Sequence, residues 1–554
     1  MRDALRGTLL VAGTHSDAGK SVVVAGICRW LVREGVHVAP FKAQNMALNS
    51  YVTREGAEIG RAQAAQAAAA RVEPEAAMNP VLLKPSAERQ TQVIVRGKPW
   101  ATASAKSYQG MKKDLLPVVL ESLEDLRSRF DVVVCEGAGS PAEINLRPYD
   151  LANMGLARAA AMPVILVGDI DRGGLFASLY GTLALLSARD QALIGGFLVN
   201  KFRGDPAVLA PGLEHLSALT GRPFLGTLPY VSGLGLDGED SLALDAPRET
   251  KPPRSKDIIR VAVARLGRIS NFTDFDALAH EPGVSVSFTT SPAQILAADL
   301  AVLPGTKATV ADLEGLRSRG LSRAFVQRAR LGLPTLGVCG GYQILGGRIV
   351  DGVESEAGET LGLGLLPVET VFEREKLLAR PAGRAPGFGD AEVSGYEIRH
   401  GRVHRYGGEP VFVGDGTEEG CRVGAVIGAS WHGVMESDRF RRNFLRWVAR
   451  ERDLDWEPGD EPFAAARERR LEKLGDIVAE HIDREAILRL IDDGPPSGLP
   501  VVSHQLVSRS ASQQEARVHD APCAEASPLI NGEGPVFIPP AFVAPGNDDQ
   551  RSKS

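Results

Sequence analysis

The sequence predicts an α/β fold with a doubly wound parallel sheet in its first half, a second α/β domain after it and a disordered tail at the end. In the first half, short β-branched apolar runs alternate with amphipathic stretches from residue 7 to about 245, as in a parallel sheet covered by helices. A second alternating region begins at Ile258 and extends to about residue 450. From about residue 493 the chain is rich in Pro, Ser, Gly and Gln without any period, which is typical of disorder.

Composition shifts suggest where these parts begin and end. A chain of 554 residues is too long for one hydrophobic core. We expect a first domain over 1–246, a linker rich in proline and charge over 247–257, and a second domain over 258–450. Apolar residues at helical spacing predict a helical extension over 451–492. The remaining residues, 493–554, are predicted to be the disordered tail.

Charge and cysteine content limit the classes of partner. The net charge is −6, and we find no basic patch interleaved with aromatic residues, so we expect no nucleic-acid partner. No segment approaches ~18 uninterrupted apolar residues, the length that spans a membrane. The five cysteines are scattered and odd in number, which favours reduced thiols and a cytoplasmic location.

A glycine-rich loop follows the first predicted strand and opens a helix. It reads GTHSDAGKS over residues 13–21, with five residues between its first glycine and Gly-Lys-Ser, where the standard phosphate loop has four. Backbone N–H groups at a helix N-terminus bind phosphate, and a lysine adds positive charge. The sequence therefore predicts a nucleoside triphosphate site that includes Gly13, Thr14, Asp17, Gly19, Lys20 and Ser21.

Two further polar residues end strands of the same predicted sheet. Glu136 follows the apolar run 130–135, and Asn200 follows the run 194–199. Catalytic groups of open α/β sheets lie at the carboxyl ends of strands, and a carboxylate with a hydroxyl suits Mg²⁺. We therefore predict that Glu136 and Ser21 hold Mg²⁺, and that Asn200 reads the purine edge of the nucleotide.

One cysteine stands between glycines at a predicted strand-to-helix turn. The run GVCGGYQ over 337–343 follows a short apolar strand, as in a nucleophile elbow with cysteine in place of serine. A thiol there can attack a carbonyl, and the N–H of Gly340 is placed to bind the oxyanion. Gly305, at the end of another strand, is predicted to add a second oxyanion N–H. We interpret Cys339 as a nucleophile rather than a buried structural cysteine.

A nucleophilic thiol needs a base, and His432 is our candidate because it ends an apolar run over 425–429. A Cys–His pair at one sheet edge lowers the pKa of the thiol. His400 and His404 are rival candidates in a weaker context. Glu436 could orient the imidazole, but its spacing of four residues from His432 is unusual, so the sequence leaves a dyad and a triad open.

Several longer runs resemble one family, the glutamine-dependent amidotransferases of the cobalamin pathway. This resemblance covers roughly residues 7 to 450 and leaves the last sixty or so residues unmatched. The stretch after Ile398 departs slightly from the family pattern. The matching runs are 41–46 (FKAQNM), 58–63 (EIGRAQ), 78–85 (MNPVLLKP), 136–145 (EGAGSPAEIN), 169–174 (DIDRGG), 269–276 (ISNFTDFD) and 395–398 (GYEI).

The resemblance implies a fold and a reaction. The first domain would be of the phosphate-loop, dethiobiotin-synthetase-like type, and the second a glutaminase with Cys339 as nucleophile. ATP and Mg²⁺ would activate carboxylates of a corrinoid as acyl phosphates, and ammonia from glutamine would convert them to amides. The runs at 42–46 and 58–63 favour the branch that amidates the b, d, e and g carboxylates of adenosylcobyrinic acid a,c-diamide. A sister enzyme for the a and c carboxylates, a dethiobiotin-synthetase-like carboxylase and a partition-type ATPase switch remain alternatives.

Overall fold

The first half of the chain alternates strands with helices, as its sequence pattern predicts. The computed structural model describes residues 5–87, 90–231, 244, 250–414 and 416–502. The elements of this half are, in chain order, β1 (Gly7–Gly13), α1 (Lys20–Arg33), β2 (Val38–Phe41), β3 (Gln44–Met46), β4 (Ser50–Val52), β5 (Glu58–Gly60), α2 (Arg61–Ala69), β6 (Val81–Ala87), β7 (Gln90–Val95), β8 (Lys98–Ala103), α3 (Ala105–Arg129), β9 (Val132–Glu136), α4 (Met154–Ala159), β10 (Val164–Asp169), α5 (Leu175–Ala184), α6 (Ala188–Gln191), β11 (Ile194–Phe202), α7 (Pro206–Thr220) and β12 (Phe224–Pro229).

Six of these strands form a parallel sheet in the order β12-β11-β10-β1-β9-β2. The central strands read as continuous apolar runs because helices bury both faces of the sheet. In the register of β1 and β9, Val11 lies beside Glu136. The loop after Gly13 and the end of β9 therefore meet at one edge of the sheet. The doubly wound fold predicted for this half is confirmed.

The second half repeats the α/β pattern and adds antiparallel strands. Its elements are β13 (Ile259–Ala264), α8 (Asp276–His280), β14 (Val284–Thr289), α9 (Pro292–Ala297), β15 (Leu300–Leu303), α10 (Thr309–Ser318), α11 (Leu321–Arg330), β16 (Thr335–Val338), α12 (Gly340–Leu345), β17 (Arg348–Asp351), β18 (Gly358–Leu361), β19 (Val368–Ala379), β20 (Ala382–Ala385), β21 (Ala391–Ser394), β22 (Glu397–Arg405), β23 (Phe412–Gly414), β24 (Thr417–Glu419), β25 (Cys421–Val423), β26 (Val426–Ala429), α13 (Asp438–Glu451), α14 (Phe463–His481) and α15 (Arg484–Asp493).

The second sheet has the order β14-β13-β15-β16-β26-β25, with β25 antiparallel to its neighbour. Strands β16 and β26 are adjacent and parallel, and Val338 pairs with Ala429. The chain between them forms two smaller four-stranded sheets, β18-β17-β19-β22 and β21-β20-β23-β24. Adjacent parallel strands bring their carboxyl ends together, so the segments after Val338 and Ala429 face the same opening.

The helical extension packs back onto the first half of the chain. Leu471, Leu474 and Val478 of α14 join Val23 and Ile27 of α1 in one buried apolar cluster. Since residues of both sheets and of α14 belong to one compact unit that ends at residue 502, the two halves do not behave as separate bodies. Among the described helices, none is long and apolar enough to cross a membrane.

The predicted start of the tail at residue 493 is corrected by contacts in the segment that follows α15. Val502 is buried, and its backbone N–H donates to Oε1 of Gln191 at 2.8 Å while its carbonyl accepts from Nε2 at 3.0 Å. The carbonyl of Pro500 accepts a hydrogen bond from Arg222. Residues up to 502 thus belong to the folded unit. The two hydrogen bonds of the buried Val502 backbone offset the conformational entropy that this segment loses when it is ordered. The rest of the predicted tail, 503–554, lies outside the described residues.

Candidate active sites

Cys339 occupies a strained turn between β16 and α12. Its backbone has φ 50° and ψ −109°, a combination that a non-glycine residue adopts at energetic cost and that is common in active sites. Its N–H donates to the Ala429 carbonyl at 2.8 Å, which fixes the turn to the neighbouring strand. A Cβ added to Gly341 would lie 2.0 Å from the Leu303 carbonyl oxygen. Glycine is therefore required where the helix approaches the adjacent strand end, as the elbow pattern predicts.

His432 lies beside Cys339, and a carboxylate orients it. The ring is buried and hydrogen-bonds to the Cys339 thiol. Its Nδ1 lies 2.7 Å from Oδ2 of Asp274, and Oδ1 of Asp274 accepts from the Gly433 N–H at 2.9 Å. Burial alone would lower the pKa of His432, but the Asp274 carboxylate and Cys339 together raise it to about 10. This geometry favours an imidazolium with its Nε2 directed at the sulfur.

The third member of the constellation is therefore Asp274 and not Glu436, for which the sequence had left a dyad and a triad open. Glu436 carries its carboxylate away from the imidazole and accepts a hydrogen bond from Arg61 at 2.5 Å. Asp274 lies 158 positions before His432 in the chain, in a 3₁₀ turn over Phe272–Phe275. Its only signal in the sequence is the family-like run over 269–276, within which nothing distinguishes Asp274 from Asp276.

The two predicted oxyanion residues lie close to this constellation. A Cβ added to Gly305 would be 2.9 Å from Cε1 of His432, and the Gly305 carbonyl accepts from the Ser270 N–H at 2.8 Å. A Cβ on Gly340 would be 3.0 Å from the backbone nitrogen of Thr306. The loop after β15 and the start of α12 thus converge beside the thiol. The assignment of the Gly340 and Gly305 N–H groups to an oxyanion stays a prediction.

A pocket of about 430 Å³ opens at Cys339, and residues from both halves of the chain line it. Lys84 comes from β6 of the first half, whereas Lys307, Lys376 and Arg399 come from the second. The first half therefore completes the cavity next to Cys339, which the predicted domain boundaries do not suggest.

Two of the lining lysines share one buried carboxylate across the two halves. Glu58 accepts from Lys84 at 2.7 Å and from Lys376 at 2.5 Å, and all three side chains are buried. Burial alone would raise the pKa of Glu58, but the two ammonium groups lower it. For Lys376, burial outweighs the attraction of Glu58 and lowers the pKa to about 8. One carboxylate thus compensates two ammonium groups, and the group carries a net positive charge.

The two rival histidines occupy different positions. His400 lines the same pocket, and its Nδ1 lies 3.0 Å from the Glu373 carbonyl oxygen. Burial lowers the pKa of His400, so the ring is neutral at physiological pH. His404 is exposed on β22, where it pairs with Glu369 of β19. The geometry supports His432 over both as the partner of Cys339.

The glycine-rich loop has the conformation of a phosphate site. Gly19 has φ 93°, a left-handed value that favours glycine, and α1 starts immediately after it at Lys20. The Lys20 ammonium donates to the His15 carbonyl across the loop at 3.0 Å. Lys201 donates to the Asp17 carbonyl at 2.8 Å and so holds the loop from outside. Positive charge and a helix N-terminus together favour a polyphosphate here.

Glu136 and Ser21 meet at the sheet edge, as predicted from their strand and helix positions. The Ser21 hydroxyl donates to Oε1 of Glu136 at 2.9 Å. Lys42 donates to the same oxygen at 2.9 Å, and Nε2 of Gln66 donates to Oε2 at 2.5 Å. Burial alone would raise the pKa of Glu136, but the Lys42 ammonium and these hydrogen bonds lower it. The carboxylate is therefore ionised.

This oxygen set fits Mg²⁺ better than a softer metal. A carboxylate and a hydroxyl are the protein ligands that Mg²⁺ uses together with substrate phosphates and water. Oε1 of Gln66 and Oδ1 of Asn153 are buried without a hydrogen-bond partner near Glu136 and Gly137, respectively. Among the described residues, no three His, Cys, Asp or Glu side chains form a metal-binding group. A metal here would thus depend on the nucleotide for most of its ligands.

Asn200 contacts the phosphate loop. Its Nδ2 donates to the Ala18 carbonyl at 2.9 Å and lies 1.9 Å from where a Cβ on Gly19 would be. The side chain therefore supports the loop, and no substituent fits at Gly19. The predicted contact of Asn200 with a purine base stays a prediction.

Comparisons with known proteins match both halves of the chain. Residues 9–241 match the family described as CobQ/CobB/MinD/ParA nucleotide binding domain, and residues 260–440 match the CobB/CobQ-like glutamine amidotransferase domain. The chain is 57% identical over 505 residues to the cobyric acid synthase of Streptomyces avermitilis, covering 90% of this chain and 99% of the relative. It is 57% identical over 521 residues to that of Frankia casuarinae and 55% over 509 residues to that of Rhodococcus jostii; each alignment covers 99% of the relative and 90% and 91% of this chain, respectively.

Proposed function

Since this chain belongs to the cobyric acid synthase family, we propose that it amidates the b, d, e and g carboxylates of adenosylcobyrinic acid a,c-diamide, using ATP and glutamine. One observation carries the proposal: a Cys–His–Asp constellation and a phosphate loop with an ionised carboxylate lie in one compact unit. A partition-type switch has no use for the first of these sites. The name shared by the relatives favours this reaction over the amidation of the a and c carboxylates.

In the glutaminase half, Cys339 attacks the side-chain carboxamide of glutamine. The Asp274 carboxylate and Cys339 raise the pKa of His432, and the reacting form in this proposal is a Cys339 thiolate paired with the His432 imidazolium. Asp274 fixes the tautomer and the direction of the ring. When the C–N bond of the tetrahedral intermediate breaks, the imidazolium donates its proton to the departing ammonia. Water then hydrolyses the thioester to glutamate and restores the thiol.

In the synthetase half, the phosphate loop and Lys20 bind the triphosphate so that a substrate carboxylate can attack its terminal phosphoryl group. A carboxylate is a poor electrophile, and its acyl phosphate is a good one. Ser21 and Glu136 would hold Mg²⁺, which neutralises charge on the transferring phosphoryl group. Ammonia then displaces phosphate and leaves the amide. The buried, unpaired thiols of Cys28, Cys135 and Cys421 fit a reducing cytoplasm, where we place the enzyme.

The test is product analysis of the purified full-length chain. Adenosylcobyrinic acid a,c-diamide is incubated with ATP, Mg²⁺ and glutamine, and the corrinoid is followed by mass spectrometry. We expect four successive replacements of OH by NH₂, with ATP consumed and glutamate formed at each. A corrinoid of unchanged mass, with glutamine and ATP intact, would contradict the proposal.

A further inference from the structure

A short buried helix of the first half, α2, contacts both active sites. It is alanine-rich, and eight of its nine residues are buried. Arg61 is the first residue of the helix, and Gln66 lies five positions later. The two residues are therefore about 7.5 Å apart along the helix axis. Small side chains let neighbouring elements pack directly against the backbone, so a displacement of one end requires a displacement of the other.

One of these residues touches the phosphate site. Nε2 of Gln66 donates to Oε2 of Glu136 at 2.5 Å and lies 3.4 Å from the carbonyl oxygen of Ser21. Both partners belong to the proposed nucleotide and metal site. Oε1 of Glu136 accepts from Ser21 and Lys42, and Oε2 accepts from Gln66. A cation bound at this carboxylate would compete with these donors, and a phosphate would compete with Glu136 for the Ser21 hydroxyl and the Lys42 ammonium. Occupancy of the phosphate site therefore acts on Gln66 through Glu136.

Arg61 contacts the turn that carries His432. Its guanidinium is almost completely buried and donates to Glu436 at 2.5 Å, in the 3₁₀ turn over Val434–Glu436 that follows His432. The guanidinium also lies 6.0 Å from the ring centroid of Tyr396. Tyr396 stacks on the His432 ring at 5.4 Å and exchanges two backbone hydrogen bonds with His432, at 2.9 and 3.0 Å. Arg61 thus touches His432's stacking partner and the turn that follows His432.

The same part of the first half also contacts the Asp274 turn. The Arg61 N–H donates to the Asn49 carbonyl at 3.1 Å, and the Asn49 side chain accepts from the Phe272 N–H at 3.2 Å. The neighbouring Ser50 N–H donates to the side chain of Asn271 at 2.8 Å. The segments that carry His432 and Asp274 therefore both contact residues of the first half.

We propose that α2 couples the two active sites, with Arg61 as a positioning residue that places His432 and Asp274 against Cys339 in response to nucleotide at the phosphate site. Arg61 touches neither substrate nor the reacting atoms; it acts through Glu436 and Tyr396. Glutamine hydrolysis then depends on the state of the synthetase site, which limits the release of ammonia when no nucleotide is bound.

The test measures two activities of full-length Arg61→Met. The first is glutamine hydrolysis, with and without ATP and Mg²⁺, and the second is amidation driven by free ammonia. In the wild type we expect ATP with Mg²⁺ to raise the kcat of glutamine hydrolysis. In the variant we expect that kcat to fall by about 10- to 100-fold, the usual cost of a small misplacement of catalytic groups, and the response to ATP to disappear. Ammonia-driven amidation should stay within about twofold, since the synthetase site keeps its own residues.

Three further variants separate positioning from general damage. Arg61→Lys keeps the charge and should restore part of the kcat, whereas a purely steric role gives no rescue. Glu436→Ala removes the acceptor of the Arg61 guanidinium at a position that is about one-third exposed, so this variant should fold. It should reproduce the Arg61→Met pattern even if Arg61→Met does not fold. Arg54→Met is the matched control, because Arg54 is exposed and paired with Glu73 in the same half; it should leave both activities unchanged.

The proposal is overturned if Arg61→Met hydrolyses glutamine like the wild type, or keeps the wild-type response to ATP. It is also overturned if both activities fall equally, or if the wild type does not respond to ATP. The proposal rests on the proposed function, but the two fail differently. A wild-type chain that does not hydrolyse glutamine contradicts the function, whereas an active wild type with an unaffected variant contradicts only the coupling.

Discussion

Replacing Asp274 with asparagine removes the charge that orients His432 and keeps the size of the side chain. A pKa that rises from 6.5 to about 10 corresponds to about 5 kcal/mol of stabilisation of the imidazolium. Asp274 contributes more of this rise than Cys339 does, and removing one partner of a buried ion pair costs about 3–5 kcal/mol. The lower end of that range is a factor of roughly 100 in the stability of the imidazolium. We therefore expect Asp274→Asn to lower the kcat of glutamine hydrolysis by about 10²- to 10³-fold.

The pH dependence gives an independent readout of the same change. In the wild type the imidazolium persists until the pH approaches 10, and glutamine hydrolysis should decline only there. In Asp274→Asn the pKa of His432 falls because burial is no longer opposed by a carboxylate, so the decline should move to lower pH. Ammonia-driven amidation and the neighbouring control Asp276→Asn should both keep the wild-type profile. A kcat within about threefold of the wild type, with an unshifted profile, would refute the role of Asp274.

Stability should follow the same charge. Since the pKa of folded His432 lies above its unfolded value of 6.5, the stabilisation is fully present below about pH 6.5 and is lost as the pH rises through about 10. Asp274→Asn should therefore lower the free energy of unfolding more at pH 6 than at pH 10. An equal loss at both pH values would show that Asp274 acts through its shape and not through its charge.

Two other substitutions test the remaining parts of the account. Lys20→Ala should abolish amidation with either glutamine or free ammonia, because activation of the carboxylate needs the phosphate loop; substantial ammonia-driven product in a mass spectrum would contradict this. Glu58→Gln leaves the buried ammonium groups of Lys84 and Lys376 without their carboxylate, so urea unfolding at pH 7 should show a loss of about 3–5 kcal/mol. Because the pKa of Lys376 is about 8 in the wild type and falls further without Glu58, that loss should shrink as the pH rises to 9. The exposed control Glu73→Gln should stay within about 1 kcal/mol at both pH values, and an equally small loss in Glu58→Gln would contradict the buried charge network.

The sequence was sufficient wherever local chemistry decides the structure. The loop that ends at Ser21 and the strand that ends at Glu136 were placed at one sheet edge because parallel strands share their carboxyl ends. The turn at Cys339 was predicted because the cysteine stands between glycines after an apolar strand, and the structure shows that a Cβ at Gly341 would meet the adjacent strand end. In both cases the residue pattern was enough to predict the local backbone geometry.

Contacts between distant segments were not predictable in this way. Asp274 reaches His432 from a loop 158 positions away, whereas spacing within one segment offered only Glu436 and left a dyad and a triad open. The sharing of Glu58 between Lys84 and Lys376 requires the two halves to be packed together, which composition does not reveal. The two four-stranded sheets inserted between β16 and β26 were also unexpected, since strands with mixed exposure lack a clear period.

The central claim is that one chain joins two separable chemistries, and Cys339→Ala tests it most directly. The assay compares glutamine-driven and ammonia-driven amidation of the same corrinoid at high pH and high ammonium concentration. The account predicts that the variant loses nearly all glutamine-driven activity, because the Cys339 thiolate of the wild type is the only covalent route to ammonia. The variant should still keep much of the wild-type ammonia-driven rate. A variant that still uses glutamine at the wild-type rate would contradict the assignment of Cys339 as the nucleophile.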